Sequence, residues 1–211
     1  MRELDSAQQT RVRRDLGIRE LGSGNYVCRK GGAVEHWFGV IDGLVKISSV
    51  SPDGKSVTFI GVPAGGWFGE GSLLKDEPRR YDAVALRAGR IACMPRSTFQ
   101  WLLDTSISFN RHLLLQLNER LGQFVATIES DRLLGPDARV ARCLAQMFNP
   151  LLYPGSGPRL EISQAELGFL TGLSRQRVNQ ALQALERANL VTIEYGSITV
   201  LSLSGLREFE G

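Results

Sequence analysis

The stretch from Ser163 to Leu185 constrains this chain more than any other. Counted from Gln164 as position one, it sets Leu167 at four, Gly168 at five, Gly172 at nine, Leu173 at ten and Val178 at fifteen. That is the spacing of a helix-turn-helix. Ser163 and Glu166 make a capping box that opens the first helix. A glycine inside a helix costs about 1 kcal/mol relative to alanine, so Gly168 is expected where another helix comes too close for a side chain. Gly172 supplies the left-handed residue of a tight turn. Ser174 can cap the second helix, whose buried stripe is Val178, Leu182 and Leu185. Its other face carries Arg175, Gln176, Arg177, Asn179, Gln180 and Gln183, with no carboxylate before Glu186. An ordinary solvated face mixes acids with bases in i,i+4 pairs. Arginine can fork onto guanine, and Asn or Gln onto adenine, in the major groove. Double-stranded DNA is therefore the expected partner. Arg175, Gln176 and Gln180 are expected at base edges, with Asn179 beside them. Ser174 and Arg177 are expected at the phosphate backbone, where contacts position without specifying. After this helix, Val191–Glu194 and Ile198–Leu201 alternate around Tyr195-Gly196-Ser197. This predicts a β-hairpin, either the wing of a winged helix or a cover for its core.

Upstream the texture differs. From Leu21 to Met94 short strands alternate with glycine-rich breakers: Trp37–Ile41, Leu44–Ser48, Ser56–Val62, Ala83–Leu86 and Arg90–Met94. Asp42-Gly43, Pro52-Asp53-Gly54 and Pro63-Ala64-Gly65-Gly66 separate them. Such spacing predicts an all-β sandwich or barrel. Helical texture follows. Ser97 and Gln100 cap a short helix over Thr98–Leu103, and a long helix begins after the capping residues of 104–108. Within it Leu114, Leu117, Leu121, Phe124 and Ile128 recur at spacings of 3, 4, 3 and 4. That is an a/d seam over two heptads. Leu113, Leu115 and Val125 lie off the seam and can face the chain's own β domain. Two stripes need two surfaces, so the seam predicts a homodimer joined through this helix.

Gly135-Pro136-Asp137 ends the long helix and starts another, with Val140, Leu144, Met147 and Phe148 on one face. The segment Asn149–Arg159 holds three prolines and two glycines and reads as a surface loop. The expected fold class is α+β: an N-terminal double-stranded β-helix or jelly roll over 1–104, a dimerisation helix over 105–135, and a winged helix-turn-helix over 136–211.

Several classes are excluded. No apolar run approaches the roughly 18 residues of a membrane span, and the charged first twenty residues lack the apolar core of a secretory signal. Three widely spaced cysteines, 28, 93 and 143, make neither a disulfide framework nor a four-thiolate metal site. A reduced, cytoplasmic setting and no metal are expected. No phosphate loop, zinc-protease motif or nucleophile elbow occurs, so no catalytic residue is expected and the chain does not read as an enzyme. The net charge of +3 is too small to announce a nucleic-acid partner by itself.

With these parts in order, the whole chain resembles the Crp–Fnr family of bacterial transcription regulators. The motifs that carry the resemblance are Gly-Gly-Ala at 31–33 with Trp-Phe-Gly-Val-Ile-Asp-Gly-Leu-Val-Lys at 37–46, Gly-Gly-Trp-Phe-Gly-Glu at 65–70, and Ser-Arg-Gln-Arg-Val at 174–178. The first two are typical of the cyclic-nucleotide-binding β-roll, the last of the recognition helix. The resemblance implies a homodimer on a pseudo-palindromic operator, with half-sites about 34 Å apart. It implies an effector site in the roll, with a cyclic nucleotide as the candidate ligand. Gly69 and Glu70 match the family's ribose-gripping pair, and Arg80 matches its phosphate arginine, although the adjacent Arg79 allows a slip of one. Three positions depart. Tyr81 follows where the family has a small hydroxyl, and Phe124 and Val125 stand where cyclic-AMP binders carry Thr and Ser. These departures leave open an effector-independent regulator with a vestigial pocket. Haem is disfavoured, because His36 and His112 are the only histidines. The resemblance also implies that the 149–159 loop can touch RNA polymerase, with Leu151, Leu152 and Tyr153 as its exposed apolar residues. Gln176 and Gln180 depart from the family's best-known recognition helix and imply a different half-site.

Overall fold

The computed structural model describes residues 4–210. A short helix α1 (Ser6–Asp15) comes first, closed at its start by a reciprocal capping box between Asp5 and Gln8. Six strands then build one antiparallel sheet: β1 (Gly17–Leu21), β2 (Tyr26–Cys28), β3 (His36–Val50), β4 (Ser56–Pro63), β5 (Trp67–Phe68) and β6 (Asp82–Pro95). The order is β1-β6-β3-β4, with β2 also on β6 and β5 also on β3. A single-turn helix α2 (Glu70–Lys75) interrupts the strands, and α3 (Arg96–Thr105) follows them. The long helix α4 (Ile107–Leu133) leads to α5 (Pro136–Gln146). The C-terminal part is β7 (Arg159–Leu160), α6 (Gln164–Thr171), α7 (Arg175–Arg187), β8 (Val191–Glu194), β9 (Ser197–Val200) and α8 (Leu203–Glu208), with a second sheet ordered β7-β9-β8. This is the expected α+β arrangement of roll, long helix and winged helix-turn-helix.

Asp42-Gly43 does not end a strand. β3 and β6 run through as 15- and 14-residue strands whose register shifts at Asp42 and again at Leu44. Gly43 sits at φ 91°, and Gly89 crosses so near that a Cβ there would lie 2.2 Å from the Asp42 carbonyl oxygen. Two glycines thus bend two long strands together, as a bulge does. The Asp42 carboxylate fixes the bend by accepting from the backbone N–H and the Nε of Arg90 at 2.8 and 2.6 Å.

Three apolar clusters fill the molecule. One lies inside the roll around Val45, Ile47, Val62 and Phe68. A second gathers α1, α3 and the start of α4 around Trp37, which meets Trp67, Phe99 and Phe109 ring to ring. The third holds the C-terminal helices and also takes in Leu44 and Leu86 of the roll.

The seam on α4 is rotated from the expected one. Leu117 packs into the Trp37 cluster and Phe124 against the roll, so both face inward. Leu114, Leu121, Val125 and Ile128 are 66, 61, 57 and 54% exposed, with Asn118 also exposed between them. The outward stripe is therefore 114, 118, 121, 125 and 128. The reason is polar: Gln116 and Arg120 are buried on the inward face, so that face is less apolar than periodicity assumes.

The 149–159 segment is not a free surface loop. Asn149 accepts from the N–H groups of Leu151 and Leu152 at 2.9 and 3.0 Å and donates to Glu119 of α4 at 2.8 Å. That turn drives Leu152 and Tyr153 into the roll's core, 0 and 1% exposed. Neither is available to RNA polymerase. Leu152→Ala is expected to lower unfolding free energy by about 2–5 kcal/mol, the cost of a large-to-small change in a closed core. Denaturant titration checks this, and a loss under 1 kcal/mol would contradict the docked loop.

Candidate functional site

Helices α6 and α7 form the helix-turn-helix. The Ser163 hydroxyl accepts from the Glu166 N–H at 3.2 Å, and the Glu166 carboxylate returns to the Ser163 N–H, as a capping box requires. Gly172 adopts φ 65° in the turn. Gly168 answers to that turn and not to a neighbouring helix: a Cβ there would stand 2.8 Å from the Leu173 carbonyl oxygen. Helix α7 buries Val178, Ala181, Leu182 and Leu185.

The polar face of α7 divides in two. Ser174 spends its hydroxyl capping the helix, accepting from Arg177 N–H at 3.2 Å. The Arg177 guanidinium pairs with Asp137 at the start of α5, 2.6 Å away. The Asn179 side-chain oxygen accepts from Gln164 of α6 at 2.8 Å and ties the two helices together. These three residues hold the motif in shape. Arg175, Gln176, Gln180 and Gln183 are exposed, and among the described residues their side chains have no hydrogen-bond or ion-pair partner. Beside them stands the β8–β9 hairpin, whose tip residue Tyr195 is fully exposed and whose turn uses Gly196 at φ 74°. Asp137 and Gln164 were missed as partners from sequence, because α5 and α6 meet α7 only in the folded domain.

In the roll, Gly69 takes φ 95° and starts α2, so that Glu70 turns inward, 8% exposed. Trp37 donates to it through the indole N–H at 3.4 Å. The arginine beside this turn is Arg79, not Arg80. Arg79 is 2% exposed. It donates to the Gly69 carbonyl at 2.7 Å and to the His36 carbonyl, and lies over the Phe38 ring. Arg80 points out to solvent in a pair with Glu77 at 2.6 Å. The two adjacent side chains lie on opposite sides, one buried and one exposed, so a slip of one exchanges inside for outside. Tyr81 packs against the roll core with Phe124. Burial, with Glu70 nearby, pushes its phenol well above the usual range. Val125 lies on the outward seam, away from the roll.

Among the described residues two buried guanidiniums here lack an ion-pair partner. Among the described residues Arg79 has no ion-pair partner, and its Nε is buried without an acceptor. Arg120, 8% exposed, projects from α4 and donates to the Trp67 carbonyl at 2.6 Å and to the Tyr153 hydroxyl at 3.5 Å. Buried charges are ordinarily paired. An unpaired buried arginine with a free N–H suits an anionic group with oxygen acceptors. Burial raises all three cysteine thiols, Cys143 to about 12, so none is poised as a reactive thiolate. Among the described residues no cluster of His, Cys, Asp and Glu could hold a metal ion, and no helix is long and apolar enough to cross a membrane.

A β-roll with an inward glutamate and arginine, joined by one long helix to a winged helix-turn-helix, defines a DNA-binding regulator with a cyclic-nucleotide-type sensor domain. Family models agree: a cyclic nucleotide-binding domain matches residues 18–106, and a Crp-like helix-turn-helix domain matches residues 138–209. The chain is 30% identical over 169 residues to the cyclic AMP receptor protein of Thermus thermophilus, covering 80% of this chain and 76% of that one. It is 28% identical over 203 residues to the transcriptional regulator SdrP of the same species, covering 94% and 95%. Among solved structures, FixK2 from Bradyrhizobium japonicum shares the fold with a TM-score of 0.75, at 16% identity over 93% of this chain and 98% of that one. The chain belongs to the Crp–Fnr family of transcription regulators.

Proposed function

We propose that this chain is a homodimeric, sequence-specific regulator that reads a pseudo-palindromic operator with α7 and responds to a small anionic effector in its roll. The observation that carries the reading is the division of the α7 face. The side chains whose chemistry matches base edges, Arg175, Gln176 and Gln180, are the ones left unpaired and exposed, while their neighbours brace the motif. The dimer rests on the outward α4 stripe. Burying each of its Leu, Val and Ile side chains is worth roughly 1.5–3 kcal/mol, and the 4-3-4-3 spacing fits a parallel coiled coil. With Leu152 and Tyr153 in the core, contact with RNA polymerase from the 149–159 loop falls to its exposed Pro154–Arg159 part.

The effector reading rests on Arg79, whose buried Nε has no acceptor. A phosphate ester, a cyclic nucleotide among them, would supply one, and Glu70 would accept from a ribose hydroxyl. The effector-independent reading is favoured by Tyr81 and Phe124, which pack into the roll where a base would need room.

Three outcomes follow. Selection of bound duplexes from a random library should give a two-fold symmetric site. Arg175→Ala and Gln180→Ala should each cost about 1–3 kcal/mol on it and relax preference at one base pair per half-site. A uniform loss over all sequences would instead assign them to the backbone. Leu121→Glu with Val125→Glu should yield a monomer by light scattering and abolish tight operator binding; a stable dimer would remove the α4 seam as the interface. In a thermal-shift screen with cyclic AMP, cyclic GMP and pyrophosphate, one ligand should raise the Tm of the wild type and not of Arg79→Met. No shift with any of them would favour the effector-independent reading.

A further inference from the structure

The roll reaches past the long helix and grips the helix-turn-helix directly. Arg87 on β6 is the contact. Its Nη2 lies 3.1 Å from one Glu166 carboxylate oxygen and its Nε donates to the other at 3.4 Å, a two-pronged pairing. The same Nη2 donates to the Gly196 carbonyl at 3.3 Å, and Nη1 lies 3.5 Å from Glu161. Glu166 is the capping-box residue at the N-terminus of α6, and Gly196 is the turn of the wing. One guanidinium from the sensor domain therefore holds the first helix of the motif and the wing at once.

The contact is not isolated. Leu44 and Leu86 of the roll close the core of the C-terminal domain. Leu170 lies against β4, where a Cβ on Gly61 would come within 3.0 Å of it, and Lys46 stands over the Phe169 ring at 4.7 Å. Helix α6 is seated on the roll at several points along its length. Arg87 marks the end that faces α7 and the wing. A cavity of about 440 Å³ there is lined by Arg87 together with Ser163, Gln164, Arg175 and Tyr195. In this seated state Arg175, Gln176, Gln180 and Tyr195 remain exposed, so the docked arrangement presents the reading face rather than covering it.

We propose that Arg87 is a positioning residue for operator binding: by fixing α6 and the wing to the roll, it sets the orientation of each recognition helix and thus the half-site spacing the dimer accepts. The proposal rests on the homodimer reading above. One base pair of added spacer rotates a half-site by about 34–36° around the duplex. A rigidly seated domain cannot follow that rotation, and a domain released from the roll can.

The test uses the full chain and synthetic duplexes carrying the selected operator with its own spacer, or with one base pair more or fewer. Affinities are read by fluorescence anisotropy at fixed salt. The wild type is expected to prefer its own spacer. In Arg87→Ala, affinity for that spacer is expected to fall about 5- to 30-fold, the equivalent of about 1–2 kcal/mol, while the altered spacers change less than about twofold, so that discrimination collapses. Arg87→Lys keeps the charge without the fork and is expected to restore part of the discrimination. If Arg87→Ala and Arg87→Lys both keep the wild-type ratio between spacers, the proposal is overturned. It is equally overturned if all spacers weaken by one common factor together with a lowered Tm, because Arg87 then serves stability alone. A wild type that is monomeric, or indifferent to spacer length, would instead sink the homodimer reading and this proposal with it.

Discussion

The Tyr153 hydroxyl holds three parts of the molecule to one point. It donates to the Gly61 carbonyl on β4 at 3.3 Å and lies 3.1 Å from the Gln123 side-chain oxygen on α4, while Arg120 on the same helix approaches at 3.5 Å. The ring lies against Gly66, where a Cβ would collide with it and with Val62. Tyr153 belongs to the C-terminal domain by sequence and to the roll's core by packing. The roll, the long helix and the 149–159 segment are therefore tied at this point, and a shift of β4 or α4 bears on that segment. Cores are close-packed and transmit such strain.

This junction also explains what a ligand in the roll could do. Arg120 sits between the Trp67 carbonyl next to the Gly69 turn and the Tyr153 hydroxyl. Like Arg79, it favours the ionised Tyr81 phenol, against the larger effect of burial. Among the described residues neither guanidinium has an ion-pair partner, although Glu70 also bears on Tyr81, and buried charges are costly unless they are paired. An anionic ligand held by Arg79 would also draw on Arg120, and Arg120 is already in contact with the segment that fastens the C-terminal domain. Coupling between effector and DNA needs a shared element with differential contacts; under the effector reading proposed above, Arg120 would be that element.

How much of this the sequence carries depends on how local each feature is. The helix-turn-helix is local: its capping residues, turn glycine and buried stripe lie within 23 residues, and every one of them has the expected role except the neighbour of Gly168. Features set by distant contacts are less legible. Asp42-Gly43 reads as a break because nothing nearby shows that Gly89 crosses at that point. Leu117 and Phe124 read as outward because Gln116 and Arg120 look like solvent residues, yet Arg120 is buried by its bonds to Trp67 and Tyr153. Leu152 and Tyr153 read as loop residues because the prolines around them are surface signals, and Gly66, against which the Tyr153 ring lies, is far upstream in the sequence. The choice between Arg79 and Arg80 turns on which of two neighbouring side chains faces in, and two adjacent arginines give no pattern to decide it.

The acid-free face of α7 has a counterpart in where the nearby acids went. Asp137, Glu161 and Glu166 all lie close to the helix-turn-helix, and each would repel a phosphate backbone if left free. Arg177 pairs with Asp137, and Arg87 takes both Glu166 and, at longer range, Glu161. Two arginines are thus spent on masking acids rather than on DNA. Non-specific attraction scales with the number of phosphates neutralised, and with a net charge of only +3 and two nearby arginines paired to acids it is weak here. Under the reading proposed above, discrimination falls to the unpaired planar side chains at 175, 176 and 180. A weak general field combined with a strong local code favours a protein that leaves wrong sequences quickly, which is what a sequence-specific regulator needs among an excess of competing sites.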